Sequence, residues 1–367
     1  MKVAFFDIAA QYRELRREID AAVQRVLQSG SYSNATENLA FEKELGAYLG
    51  VREVVAVNSG TDALLLSLKA LGIGTGDEVI VPSFTFFATA EAVCLAGAQP
   101  RFADCANAAF NIDLRNVERA YTSKVKAVIA VHLYGQPVDL APIQEFCAAH
   151  NLHLIEDCAQ ALGASYRGRR VGTFGVAGAF SFYPTKNLGA CGDGGAICCD
   201  NPELASHLRR LRNHGRMNAF SHSEIGINSR LDEIQAAILR IKLPHLDRWN
   251  ARRRELAQRY RTGLQDSTRC ILPPNCDDGI EVFHQFVVRY PQRDALRTFL
   301  AEHGVETAVY YPTPCHLQTA FCSTTSVASL PSAEHNAKQA LALPIYPELA
   351  DDAVLHIVEL VRAFEQG

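Results

Sequence analysis

The chain has 367 residues, 48% of them hydrophobic and 21% charged, with a formal net charge of −4. That length exceeds the reach of one hydrophobic core, and so mild a charge sets nucleic acid and membrane aside as main partners. Eleven cysteines, scattered without a CxxC pair, speak against a disulfide framework and a zinc cage, so no metal is expected. They read as small buried hydrophobes in a reducing compartment. Met1 to Asp7 reaches an acid before any signal-peptide core could form, which makes the cytoplasm the expected setting.

Tyr12, Leu15, Ile19, Val23, Val26 and Leu27 recur at helical spacing up to Gly30, predicting an amphipathic helix with a glycine C-cap. A second helix is expected from Ala35 to Leu49, stopping at Gly50. Alternation follows: strand Val54–Val57, helix Thr61–Leu71, strand Glu78–Val81, helix Phe87–Ala96, strand Arg101–Ala103, strand Val125–Val131, helix Leu140–His150 and strand Leu152–Ile155. Such interleaving predicts an α/β fold with a mostly parallel sheet covered on both faces. The glycines at 72, 74 and 76 follow a helix instead of opening one, so they form a turn and not a dinucleotide loop. Gly163 to Gly175 reads as a loop or short hairpin. From Leu231 a helical pattern runs towards Tyr260, interrupted at Pro244. Val282–Tyr290 then reads as a strand, with helices at Asp294–His303 and Asp352–Phe364. The expected division is a large domain, 1–245, and a smaller C-terminal α+β domain, 246–367.

Three strand ends carry the chemistry. The apolar run from Ala179 reads as a buried strand ending at Pro184 and handing over to Lys186, in a nearly uncharged segment with Gly192, Gly194 and Gly195 beyond it. Ligands of open α/β sheets lie beyond the carboxyl ends of the strands, so Lys186 is expected over a site. A desolvated lysine has a lowered pKa, and its free amine condenses with carbonyls. Leu154-Ile155-Glu156-Asp157 ends at the same rim in an acid. A lysine and an acid together suit pyridoxal phosphate, whose ring nitrogen requires a carboxylate to stay protonated; alone, Asp157 reads as a helix cap. Val54 to Val57 turns through Ser59-Gly60-Thr61 into a helix whose first N–H groups suit a phosphate, although by itself this stretch reads equally as a plain helix start. The conjunction of lysine, acid and phosphate cradle is the argument.

With those blocks in hand, the chain resembles the DegT/DnrJ/EryC1/StrS family of sugar aminotransferases, in the fold-type I class of pyridoxal-phosphate enzymes. The likeness runs through Asn58 to Leu64, Pro82 to Thr89, His132 to Pro137, the Asp157 and Lys186 blocks, Gly226 to Asp232 and Tyr310 to Gln318. It implies a seven-stranded sheet and an aminotransferase using pyridoxal 5′-phosphate, with L-glutamate as donor and C3 of a dTDP- or UDP-linked 3-keto sugar as acceptor. Alternatives within the resemblance are a C4-keto nucleotide sugar or a pyridoxal-phosphate-binding regulatory protein without turnover. It further implies that Lys186 and Asp157 are catalytic, and that Ser59, Gly60, Thr61 and Ser181 take the phosphate. Phe86 would stack on the ring and Gln160 would lie beside its phenolic oxygen. Asn228 would reach the phosphate of a neighbouring subunit, making a homodimer the smallest competent unit. Arg230, Tyr183, His316 and Tyr311 are the expected substrate contacts. Cys158, Cys191 and Tyr310 depart from the family pattern. Arg209, Arg210, Arg212, His214 and Arg216 form a basic cluster that reads equally as a solvated helix end or a diphosphate contact.

Overall fold

The computed structural model describes residues 1–106, 109–322 and 329–366. In chain order its elements are α1 (Ile8–Ser29), α2 (Thr36–Leu49), β1 (Glu53–Val57), α3 (Gly60–Ala70), β2 (Glu78–Pro82), α4 (Ala88–Leu95), β3 (Gln99–Ala103), α5 (Leu114–Ala120), β4 (Val125–Val131), α6 (Leu140–Ala149) and β5 (His153–Asp157). There follow β6 (Ser165–Tyr166), β7 (Arg169–Arg170), β8 (Ala177–Ser181), β9 (Gly195–Cys199), α7 (Pro202–Leu211), α8 (Glu233–Lys242), α9 (Leu246–Leu264), β10 (Gly279–Ile280), β11 (Phe286–Arg289), α10 (Arg293–Glu302), α11 (Thr319–Cys322), α12 (Pro331–Gln339), β12 (Ala340–Leu343) and α13 (Asp351–Gln366). No described helix is long and apolar enough to cross a membrane.

Seven strands form one sheet in the order β1-β9-β8-β5-β4-β2-β3. β8, β5, β4, β2 and β3 pair in parallel, and only β9 runs against its neighbours, so the expected mostly parallel seven-stranded sheet is present. Strand alternation builds a separate core on each face. Val55, Val57, Val79, Val81, Ala127 and Ile129 pack with α3, α4 and α7 on one side. Val54, Ala56, Ile80, Val128 and Ala130 pack with α2, α6 and α8 on the other. Burying both faces is what makes these strands near-continuous apolar runs.

A third core holds Leu256 and Tyr260 of α9, Phe286 and Val288 of β11, Leu341 and Leu343 of β12, and Val354 and Ile357 of α13. The β11–β12 ribbon is itself two-faced, because Val287, Ala340 and Ala342 turn the other way and join the first core. The small sheet is thereby bonded to the large one through side chains.

Glycine stops are where the sequence places them: Gly30 and Gly50 close α1 and α2 in the left-handed conformation, at φ 68° and 75°. At Pro244 the helical run breaks into α8, a short 3₁₀ turn and α9. The 163–175 stretch contains the β6–β7 hairpin. Two strands differ most from expectation: the one expected at Val282–Tyr290 is only Phe286–Arg289, and β8 ends at Ser181, ahead of Pro184. Phe182 still donates to Gly194, at 2.7 Å, but Tyr183 O is taken by the Lys186 N–H at 2.8 Å, so the chain turns.

Candidate active site

The carboxyl ends of the parallel strands open onto a cavity of about 470 Å³, within the range of small-molecule sites. Ser59, Gly60, Thr61, Phe86, Asp157, Gln160, Ser181, Tyr183, Lys186 and Tyr311 all line it. The strand ends had supplied five of these, Ser59, Gly60, Thr61, Asp157 and Lys186, and the resemblance the other five.

Each has a local cause. Ser59 caps α3, its Oγ accepting from the Asp62 N–H at 3.1 Å. Behind it the backbone of Gly60 lies against Ser181. A Cβ at Gly60 would sit 2.8 Å from that of Ser181, so only glycine lets the helix N-terminus and β8 meet. The result is a row of helix N–H groups beside a hydroxyl, a natural anion site.

Asp157 ends β5 and is buried at 6% exposure. Its Oδ2 accepts from Thr89 Oγ1 at 2.9 Å and its Oδ1 from the Ala159 N–H at 3.1 Å. Burial raises its pKa, against the opposing pull of those two bonds and the charge of Lys186. Lys186 is held on its turn facing the same space, and burial brings its amine down to about 8, with Asp157 opposing. A carboxylate and an amine thus face one cavity, each shifted towards its neutral form by desolvation and drawn back by the other's charge.

Gln160 is fixed at both ends. Its Oε1 accepts from the Tyr134 N–H at 2.7 Å, while its Nε2 donates to Tyr311 Oη at 3.0 Å. The Tyr311 ring stands 6.1 Å from that of Phe86, which is 56% exposed at the cavity rim.

Two expected substrate contacts, His316 and Arg230, are not brought to the cavity, and Asn228, expected to serve a neighbouring subunit, also lies outside its lining. His316 is buried instead, its Nδ1 at 2.5 Å from Ser83 Oγ and its Nε2 at 3.4 Å from Glu334, where it ties the end of β2 to α12. Arg230 donates to Asn213 Oδ1 at 3.2 Å. Asn228 is exposed and bridges Asn213. Between them, buried Ser229 donates to Asp62 Oδ2 at 2.6 Å and accepts from the Asn58 N–H at 3.1 Å. That tether places the 228–230 segment against the cradle while leaving Asn228 facing outward. Much of the basic cluster is paired internally: Arg212 with Glu42 at 2.5 Å, Arg209 with Glu53 at 2.9 Å, Arg210 with Glu224 at 3.4 Å.

The cavity also has walls the sequence reading did not assign: Thr85, His284, Gln285 and Tyr310. Their one sequence signal is the polar pair His284-Gln285 at the head of an otherwise apolar strand.

The residues present fit pyridoxal phosphate: an anion cradle at α3, a depressed amine, an acid across the cavity, and two buried polar atoms, His284 Nδ1 and Gln285 Oε1, without partners among the described residues. Fold and site together define an α/β enzyme whose cavity opens at the carboxyl ends of a mostly parallel sheet. Residues 13–362 match the model of the DegT/DnrJ/EryC1/StrS aminotransferase family, and the chain belongs to that family. It is 47% identical to the dTDP-3-amino-3,4,6-trideoxy-alpha-D-glucose transaminase of Streptomyces venezuelae, over 100% of this chain and 97% of that one. The crystal structure of S. venezuelae DesV in complex with a ketimine intermediate superposes with a TM-score of 0.97 at 48% identity, covering 99% of this chain and 98% of that one. Bacillus subtilis NtdA, solved with bound cofactor PMP, gives a TM-score of 0.90 at 32% identity, covering 98% and 85% of the two chains.

Proposed function

We propose that this chain is a pyridoxal-phosphate-dependent aminotransferase that moves the amino group of L-glutamate to C3 of a nucleotide-linked 3-keto sugar, leaving 2-oxoglutarate and an amino sugar. The observation that carries this reading is the amine of Lys186 and the carboxylate of Asp157 facing one cavity beside the α3 cradle. Its regiochemistry is supported by the S. venezuelae transaminase at 47% identity, and the nucleotide is dTDP or UDP.

Pyridoxal phosphate, when bound through Lys186, supplies an electron sink for the carbon that gains or loses the amino group. The chain does the rest. Asp157 keeps a proton on the ring nitrogen, and its bonds from Thr89 and Ala159 hold the carboxylate in place. Ser59, Gly60, Thr61 and Ser181 would hold the phosphate, Phe86 would cover a face of the ring, and Gln160 would lie at its phenolic oxygen. Lys186 Nζ, with its pKa brought to about 8, acts as base and then acid at the substrate carbon near neutral pH. Tyr183 and Tyr311 are the substrate contacts. Arg230, outside the cavity lining, would add a contact to the nucleotide part of the substrate, and Asn228 of a second copy would complete the phosphate site, so the working unit is a homodimer. We read residues 1–245 as the cofactor-binding domain and 246–367 as its smaller companion, at work in the cytoplasm.

Incubation with glutamate and matched panels of 3-keto and 4-keto dTDP- and UDP-sugars, followed by mass spectrometry, tests the proposal. Amination of the 3-keto series is expected. Turnover confined to the 4-keto series overturns the regiochemistry. A cofactor that stays in its lysine-linked form whatever donor is added makes the chain a sensor instead.

A further inference from the structure

Two threonine hydroxyls stand in line behind Asp157, and only the nearer one touches it. Thr89 Oγ1 donates to Asp157 Oδ2 at 2.9 Å, and Thr85 Oγ1 lies 3.1 Å from Thr89 Oγ1. All three side chains are buried, at 3% exposure for Thr85, 1% for Thr89 and 6% for Asp157.

The direction of the farther bond follows by elimination. A hydroxyl has one proton and two lone pairs, whereas an ionised carboxylate only accepts. Thr89 therefore gives its proton to Asp157, and the proton between the two threonines belongs to Thr85. Both hydroxyls point the same way, so the chain of bonds runs from Thr85 through Thr89 and ends on the negative charge. Bonds strung in one direction polarise one another, and in a buried site this strengthens the last of them. Burial raises the pKa of Asp157, and the pulls against it include the Ala159 N–H, the Thr89 hydroxyl and the charge of Lys186.

The same chain settles a competition. Thr89 is the second residue of α4, and a threonine there can turn its hydroxyl back to the carbonyl four residues earlier. That carbonyl is Thr85 O, which already accepts from Cys315 Sγ at 3.5 Å. The Cys315 N–H donates to Ser83 O at 2.8 Å, and Ser83 Oγ meets His316. The bend from Ser83 to Thr85 is thus clamped by the Cys315–His316 turn, which fixes where Thr85 presents its hydroxyl.

We propose that Thr85 is a positioning residue for Asp157: by giving its proton to Thr89 it sets Thr89 as a donor to the carboxylate, and so holds the negative charge that the cofactor's ring nitrogen requires. The inference rests on the aminotransferase reading above, which gives that charge its task. Thr85 acts through Thr89 and not on the substrate.

Thr85→Val keeps the shape of the side chain and removes its proton, while Thr85→Ser restores the hydroxyl. Reconstituted with pyridoxal phosphate carrying nitrogen-15 in its ring, wild-type protein should show the NMR signal of a protonated ring. In Thr85→Val that signal should move towards the neutral ring, because a less stabilised carboxylate draws the proton to itself. Turnover at saturating substrates should fall by roughly 3- to 10-fold, the size expected for one hydrogen bond, with KM for glutamate unchanged. Thr85→Ser should recover both readings. A neutral ring already in wild type, or an unmoved signal in the valine variant, overturns the inference. So does a rise in KM with kcat intact, which makes Thr85 a substrate contact. Neutron diffraction from crystals of the wild-type holoenzyme decides the matter even where the valine variant does not fold: the Thr85 deuteron should lie towards Thr89 Oγ1, and a deuteron turned into the cavity overturns the proposal. If wild-type protein takes up no cofactor at all, the aminotransferase reading fails first and takes this inference with it.

Discussion

Glu156 and Asp157 are neighbours on β5, both acids, both buried, and they live in opposite circumstances. Glu156 points into the α6-side core, where four donors saturate it: His132 Nε2 at 3.0 Å and the N–H groups of Gly172, Phe174 and Gly175 at 2.7, 2.6 and 2.8 Å. His132 is satisfied too, its Nδ1 accepting from the Val138 N–H at 3.0 Å. Although His132, Glu156 and Cys158 cluster within 4.8 Å, the lone pairs of His132 and Glu156 are already spent on the fold. Asp157, one pleat away, receives two bonds and otherwise faces the amine of Lys186 across open space. Strand alternation lets adjacent residues serve structure and chemistry separately, and the difference is in what is left unbonded.

The sharpest way to break the contrast is Lys186→Ala, which should leave the fold intact and lower turnover by roughly 10⁴-fold or more. The same variant should retain no covalent cofactor after borohydride reduction, as read by intact mass; retained label would show that another residue carries it. Next, Asp157→Asn should cost roughly 10²-fold or more in turnover. Its stability should hold, because an asparagine still accepts from Ala159 and the rotatable Thr89 hydroxyl can reverse its bond. Glu156→Gln should do the opposite. Its amide would set two N–H groups against backbone donors, so denaturant melts should show a loss of about 2–3 kcal/mol, with activity per folded molecule little changed. The smallest effect is a pH profile. Only the neutral amine attacks an aldehyde, so loading of cofactor-free protein should rise with pH, reach half-maximum near about 8, and level off above. A profile still climbing towards 10.5 would mean that Lys186 is solvated.

The parts of this contrast that were legible in sequence are those set by neighbours along the chain. Lys186, Asp157 and the Ser59–Thr61 cradle each follow an apolar run, and a run of that kind announces where a strand stops. β8 stopped early because Pro184 offers no N–H and Lys186 claims a carbonyl, a competition invisible to periodicity. Short α5 and the β12 strand, whose four residues alternate between two cores, gave too little pattern to read. His284 and Gln285 were missed for a deeper reason: their place is fixed by Arg253 and Gly135, each remote in sequence. His316 sits in a block that resembles the family closely, yet its partners Ser83 and Glu334 draw it into the interior.

The walls around Lys186 come from as early as Ser59 and as late as Tyr311, and include His284 and Gln285 just ahead of β11. No fragment of the polypeptide can hold the coenzyme alone. Occupancy is therefore linked by mass action to the integrity of nearly the whole molecule, so a ligand that binds only the folded chain would also stabilise it.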